Sequence, residues 1–224
     1  MDTHIRVVSF DLDGTLVAAQ DFDDAVWFEE IPQRYALKYG LGLDEAKERV
    51  FADYRALRGH PRWTDVEFWF DRFGLGDWRQ ATQAREHLIR PFPETVGVLQ
   101  ALRPHYRLVI ITRSEPKLCA PKLAVEDLCT YLERIFSTTD QFGKLAKDEE
   151  VYGGVLAELG IGPAEMLHVG DHPEYDYAVP RRLGISALLL DRSGEKQGPD
   201  IIHDLRELLP RLVPRRPDHR SAAA

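Results

Sequence analysis

Ile5-Arg6-Val7-Val8-Ser9-Phe10-Asp11-Leu12-Asp13-Gly14-Thr15-Leu16 is the stretch around which the rest of the chain is organised. Its apolar run, from Ile5 to Phe10, reads as a buried strand that stops at two carboxylates, a glycine and a threonine. Side chains two apart on an extended segment point the same way, so Asp11 and Asp13 are expected to face one pocket at the strand's carboxyl end. Like charges that close repel unless a cation or a proton lies between them. A strand running into an Asx turn would use the same residue types. The downstream residues decide between a turn and a site.

From Phe22 to His87 the pattern turns helical, with helices expected over 23–39, 44–57, 64–73 and 78–89 and breaks at Gly40, Gly42, Gly59-His60-Pro61 and Gly74–Gly76. Asp44, Thr64 and Asp77 suit N-caps. Pro32 predicts a kink inside the first helix. All four tryptophans (Trp27, Trp63, Trp69, Trp78) and seven of the ten phenylalanines fall between Phe22 and Phe92, as a small bundle needing large side chains would have them. Phe68-Trp69-Phe70 cannot all face one helical core, so at least one ring is expected to be exposed or used in a pocket wall or a dimer face.

Arg90-Pro91-Phe92-Pro93 is a stiff return segment. Beyond it, strands expected over 107–112, 134–138, 166–170 and 186–190 alternate with helices over 94–102, 117–131, 148–159, 173–183 (kinked at Pro180) and 201–212. Strands separated by helices imply an α/β fold, a parallel sheet with helices on both faces. Its ligands bind outside the carboxyl ends of the strands, where Asp11, Thr112 and Asp171 all fall. The expected organisation is a core of residues 1–18 and 91–213, a helical insert over 19–90 and a disordered tail over 214–224.

The 224 residues suit one domain carrying an insert, and 44% hydrophobic with 29% charged residues is ordinary for a globular chain. A net charge of -8 argues against non-specific nucleic-acid binding. No apolar run approaches the roughly 18 residues of a membrane span, and no secretory signal is visible. Cys119 and Cys129 have no Cys or His partners at metal spacing and read as buried thiols. A cytoplasmic protein is the expectation.

Four pieces, taken in order, resemble the motifs of the haloacid dehalogenase-like (HAD) hydrolase superfamily across essentially the whole chain. They are Asp11-Leu12-Asp13-Gly14-Thr15, the strand-end hydroxyl Thr112, a lysine before a helix, and Gly170-Asp171-His172-Pro173-Glu174-Tyr175-Asp176. The resemblance implies a Rossmann-like core, and an insert between the first two motifs is similar to the C1 cap of subfamily I. It implies a Mg²⁺-dependent phosphohydrolase acting on a small phosphorylated metabolite through a phospho-aspartate. Asp11 is then the nucleophile and Asp13 the acid/base. Thr112 and Lys147 hold the phosphoryl group. Asp11, the main-chain carbonyl of Asp13, Asp171 and Asp176 serve the metal. Asp13 fits a phosphatase, because an alkoxide leaving group needs a proton and a halide does not.

The chain departs from the family pattern in places. Arg113-Ser114 stand where Asn-Gly is common, and Lys144 competes with Lys147 for the third motif. Thr15, Arg113 and His172 are candidate substrate contacts, Arg113 and His172 being equally readable as solvated. His168 reads as packed within its strand, while His60 lies in a turn that a closing cap would bring near the site. A sugar-phosphate mutase is the alternative within the family, and a non-catalytic HAD-fold interaction protein the alternative outside enzymes. A monomer and a homodimer both fit.

Overall fold

The computed structural model describes residues 5–213; the expected tail over 214–224 lies outside them. In chain order, β1 (Val7–Phe10) and β2 (Val17–Ala18) precede α1 (Gln20–Asp24), α2 (Ile31–Tyr39), α3 (Leu43–Ala56), α4 (Val66–Phe73) and α5 (Trp78–Gln83). Then come β3 (Arg90–Pro91), α6 (Thr95–Leu102), β4 (Arg107–Thr112), α7 (Pro116–Ala124), β5 (Arg134–Ser137), α8 (Thr138–Gln141) and α9 (Glu149–Leu159). The chain continues through β6 (Met166–Gly170), α10 (Val179–Arg182), β7 (Ser186–Leu190), β8 (Ile201–Ile202) and α11 (Leu209–Leu212).

Six strands form one sheet in the order β5-β4-β1-β6-β7-β8, and every pairing in it is parallel. β1 lies between β4 and β6, with Val8 opposite Leu108 on one side and Leu167 on the other. The chain leaves β1 for one half of the sheet and returns to build the other half, which makes β1 the switch point where such sheets open a crevice. Alternate residues bury on opposite faces: Val8 and Phe10 pack with α6 and the helical insert, and Val7, Val109 and Ile111 pack with α9. Burial on both faces is why these strands read as continuous apolar runs.

The insert stands on a two-stranded antiparallel ribbon of β2 and β3, which pairs Val17 with Pro91. The stiff return segment is therefore one leg of this ribbon. Phe22, Trp69, Phe70 and Phe73 fill the insert and join the core cluster of the sheet. Of the aromatic run, Trp69 and Phe70 are buried, while Phe68 is half-buried with the Arg62 guanidinium 5.5 Å over its ring.

Several expectations need correction. The first insert helix begins at Gln20 and passes through a π-helical stretch, Ala25–Glu30, in which Ile31 N–H donates to Val26 O five residues back. A second π stretch, Pro173–Ala178, ends with Val179 N–H on Glu174 O. Pro32 and Pro180 each stand two residues past the end of such a stretch, so both expected kinks take the form of a widened turn that accommodates the ring and its missing N–H. The helix expected over 117–131 stops at Ala124, beyond which Glu126 and Asp127 take φ values of 51° and 50°. Ile201–Ile202 is an edge strand rather than the start of a helix, because Asp204 caps the next turn. Cys119 is a buried thiol as expected, but Cys129 is exposed.

Candidate active site

At the carboxyl ends of β1, β4 and β6 lies a cavity of about 410 Å³. Asp11, Asp13, Thr112, Lys147, Asp171 and Asp176 all line it, and Arg113 and His172 form part of its rim. Gly14 allows the turn after Asp11: its φ is +80°, and a Cβ there would stand 2.5 Å from Asp171 Oδ2. Gly170 has the same importance on the facing strand, where a Cβ would run into the carboxyl carbon of Asp176. Gly14 thus lets the turn after Asp11 approach Asp171, and Gly170 leaves room for Asp176 of its own motif to fold back on the strand end.

Behind Asp11 lies a buried ion cluster. Lys147 Nζ donates to Asp11 Oδ1 at 2.5 Å and to Asp176 Oδ1 at 2.6 Å. His168 Nε2 lies 3.1 Å from Asp176 Oδ1, and its Nδ1 is 2.8 Å from Ser9 Oγ. A carboxylate only accepts, so Nε2 donates and Nδ1 receives the hydroxyl of Ser9. His168, read from sequence as simply packed, therefore also anchors Asp176. Burial works against an ionised Asp176, but Lys147 and His168 outweigh it and hold this carboxyl below the usual range. Burial, reinforced by Asp176 and Asp171 and opposed by Lys147, pushes the Asp11 carboxyl up to about 8. Burial and Asp176 raise Asp171 as well.

Oxygens of Asp11, Asp171 and Asp176 lie within 4.8 Å of one another. Three carboxylates share one ammonium, which leaves surplus negative charge in a set of oxygen donors only. That chemistry fits a hard divalent cation.

Asp13 is held by a second lysine that sequence reasoning missed. Lys122 on α7 is 1% exposed, and its Nζ lies 2.8 Å from Asp13 Oδ1 and 2.8 Å from Asp23 Oδ2. The Asp23 contact is an aligned hydrogen bond, whereas the Asp13 contact is an ion pair by proximity, off the line of a hydrogen bond. Burial raises Asp23 to about 6, with Lys122 opposing and Asp13 adding to the rise. The available signal was a lysine on the apolar stripe of Leu118, Cys119 and Leu123. Arg192 was missed too. It donates to the carbonyls of Gly14 (3.2 Å) and Thr15 (2.8 Å) and to Glu94 (2.7 Å), clamping the turn from behind. Nothing local in Asp191-Arg192-Ser193 announces this contact.

The other candidates fall in different places. Thr112 Oγ1 accepts from Ser114 N–H at 3.0 Å, and the Arg113 guanidinium lies 4.9 Å from the centre of the Tyr175 ring. His172 Nδ1 accepts from the N–H groups of Glu174 and Tyr175 at 3.2 Å each, capping the π-helical turn. Thr15 is fully buried with its hydroxyl 3.5 Å from Asp171 Oδ1 and is absent from the cavity wall. Lys144 turns away to Asp148 and Glu150. His60 is exposed and caps the turn of Pro61–Thr64.

Among known proteins, the chain is 24% identical over 168 residues to the GMP/IMP nucleotidase YrfG of Escherichia coli K12, covering 75% of this chain and 74% of that one. It is 30% identical over 181 residues to the phosphoglycolate phosphatase of Neisseria gonorrhoeae, covering 75% and 72%. Among solved structures, a HAD phosphatase from Thermococcus onnurineus superposes with a TM-score of 0.76 at 26% identity, over 93% of this chain and 98% of that one. The profile of haloacid dehalogenase-like hydrolases matches residues 5–184, and the chain belongs to that family of enzymes.

Proposed function

We propose that this enzyme is a Mg²⁺-dependent phosphatase that hydrolyses a small organic phosphate monoester through a phospho-aspartate on Asp11. The observation that carries this reading is the meeting, in one cavity, of a carboxylate triad, a fully buried lysine and a separately held second aspartate. Relatives named as a GMP/IMP nucleotidase and as phosphoglycolate phosphatases support small phosphate esters as the substrate class.

Asp11, Asp171 and Asp176, with the main-chain carbonyl of Asp13, would hold the cation. Bound there, it supplies positive charge that neutralises both the aspartate and the phosphate it must approach. An Asp11 carboxylate oxygen attacks phosphorus while the bond from phosphorus to the ester oxygen breaks. Asp13 gives its proton to that leaving oxygen. Asp13 then takes a proton from water, whose oxygen attacks phosphorus, and the bond to Asp11 breaks to release inorganic phosphate. Thr112 donates a hydrogen bond to a phosphoryl oxygen, and Lys147 supplies positive charge beside the developing negative charge. The helical insert serves as a cap over residues 19–90 that shields the aspartyl phosphate from bulk water.

The test is phosphate release from a panel of esters with Mg²⁺ and with EDTA, joined to acid quenching and borohydride reduction. Borohydride converts an acyl phosphate to an alcohol, and the mass change should lie on the peptide carrying Asp11. Label on another residue, or turnover indifferent to EDTA, would overturn the reading. Isomerisation of a sugar phosphate without phosphate release would favour the mutase.

A further inference from the structure

The catalytic cavity continues into a second one of about 430 Å³. Asp13, Gln20, Asp23, Arg113 and Ser114 line both, so the two form one cleft with the proposed acid/base at the junction. The second cavity has a different chemistry. Its walls carry Trp27, Phe28, Tyr54 and Trp63 from the insert and Leu118 and Leu145 from the α/β layer. Phe28 and Trp63 remain 49% and 38% exposed, although most large apolar side chains of the insert find cover.

The wall is held in place before any ligand arrives. Tyr54 donates its hydroxyl to Trp27 O at 3.2 Å, and the two rings meet edge to face at 6.0 Å. Phe28 has one side against Phe51 at 5.8 Å. The main-chain carbonyl of Trp63 accepts from the indole N–H of buried Trp69 at 3.0 Å, which ties the Trp63 backbone to the insert and leaves its ring open to the cavity. Arg113, without an ion-pair partner among the described residues, adds donors to the same wall.

A leaving oxygen beside Asp13 has its substituent directed along this cleft. A small phosphorylated acid would end at the junction and leave the aromatic wall wet. We propose that the second cavity binds the leaving group by stacking a planar aromatic ring, making nucleoside 5′-monophosphates the substrate class. This rests on the phosphatase reading above and narrows it. The combined space falls in the range of small-molecule sites, which are mostly apolar with a few placed polar groups. Stacking a base on aromatic side chains raises affinity about ten- to a hundred-fold.

The experiment compares kcat/KM for GMP with that for ribose 5-phosphate, the same ester without its base. The expected ratio is about ten or more in the parent enzyme, falling toward one in Phe28→Ala and Trp63→Ala, mainly through KM. A ratio near one in the parent enzyme, or one that both variants leave in place, would overturn the proposal. A binding arm separates it from the chemistry: GMP should quench tryptophan fluorescence of the Asp11→Asn protein, with weaker binding once Trp63→Ala is added. Quenching without hydrolysis of any ester would keep the pocket and remove the phosphatase reading, whereas hydrolysis without quenching would do the reverse.

Discussion

Lys147 and Lys122 are each 1% exposed and each bridge two aspartates, but they do so in different parts of the molecule. Lys147 joins Asp11 to Asp176 within the α/β layer, with His168 and Ser9 completing a chain of hydrogen bonds beneath the sheet's central strand. Lys122 joins the Asp13 turn to Asp23 on α1, across the seam between the layer and its insert. The same charge pattern therefore does two jobs. The first cluster sets the proposed nucleophile rigidly. The second ties the proposed acid/base to the element that covers it, and its carboxylates are more open to solvent, at 33% and 26% against 11% and 1%.

Four experiments bear on that contrast, in falling order of effect. Asp11→Asn should lower turnover by about 10⁴-fold or more, as loss of a nucleophile does. Phosphate release within tenfold of the parent would remove Asp11 from its role. Lys147→Met leaves three facing carboxylates without their ammonium and should cost about 3–5 kcal/mol in urea unfolding with EDTA present. A loss below about 1 kcal/mol would mean that this cluster is not held by its lysine.

Lys122→Met should cost less, about 1–3 kcal/mol, because solvent reaches both of its partners. Its distinguishing mark is local: hydrogen exchange should rise in Gln20–Asp24 and leave β1 unchanged. Equal loosening of β1 would erase the distinction between the clusters. The smallest effect per step is a pH dependence, at most about 1.4 kcal/mol per pH unit for one proton. Folded Asp11 holds its proton up to about 8, above the reference value of 3.8. Its contribution to stability is thus complete below about pH 4 and lost as pH rises through about 8. With EDTA, Tm should fall across that window by roughly 2–4 °C per kcal/mol lost. Mg²⁺ or Asp11→Asn should flatten the slope, and a flat profile for the parent in EDTA would contradict the charge surplus.

Alternation of apolar strands and helices, glycines at the turns and the spacing of the acids determined the parallel sheet, the helical insert and the strand ends where Asp11, Thr112 and Asp171 stand. These are local properties, because strand burial and turn chemistry act over a few residues. The tertiary structure alone decided which lysine enters the cavity: Lys144 and Lys147 are three apart, and only the packing of the segment before α9 turns one inward and the other to Asp148 and Glu150. It also brought Lys122 to Asp13 and Asp23, Arg192 to the turn after Asp11, and Trp63 to a cavity wall shared with Trp27 and Tyr54. Such contacts join residues up to 178 positions apart. No pattern within one segment specifies them, since partners across a sheet or a seam are chosen by the fold's closure and by the need of each buried charge for an opposite one.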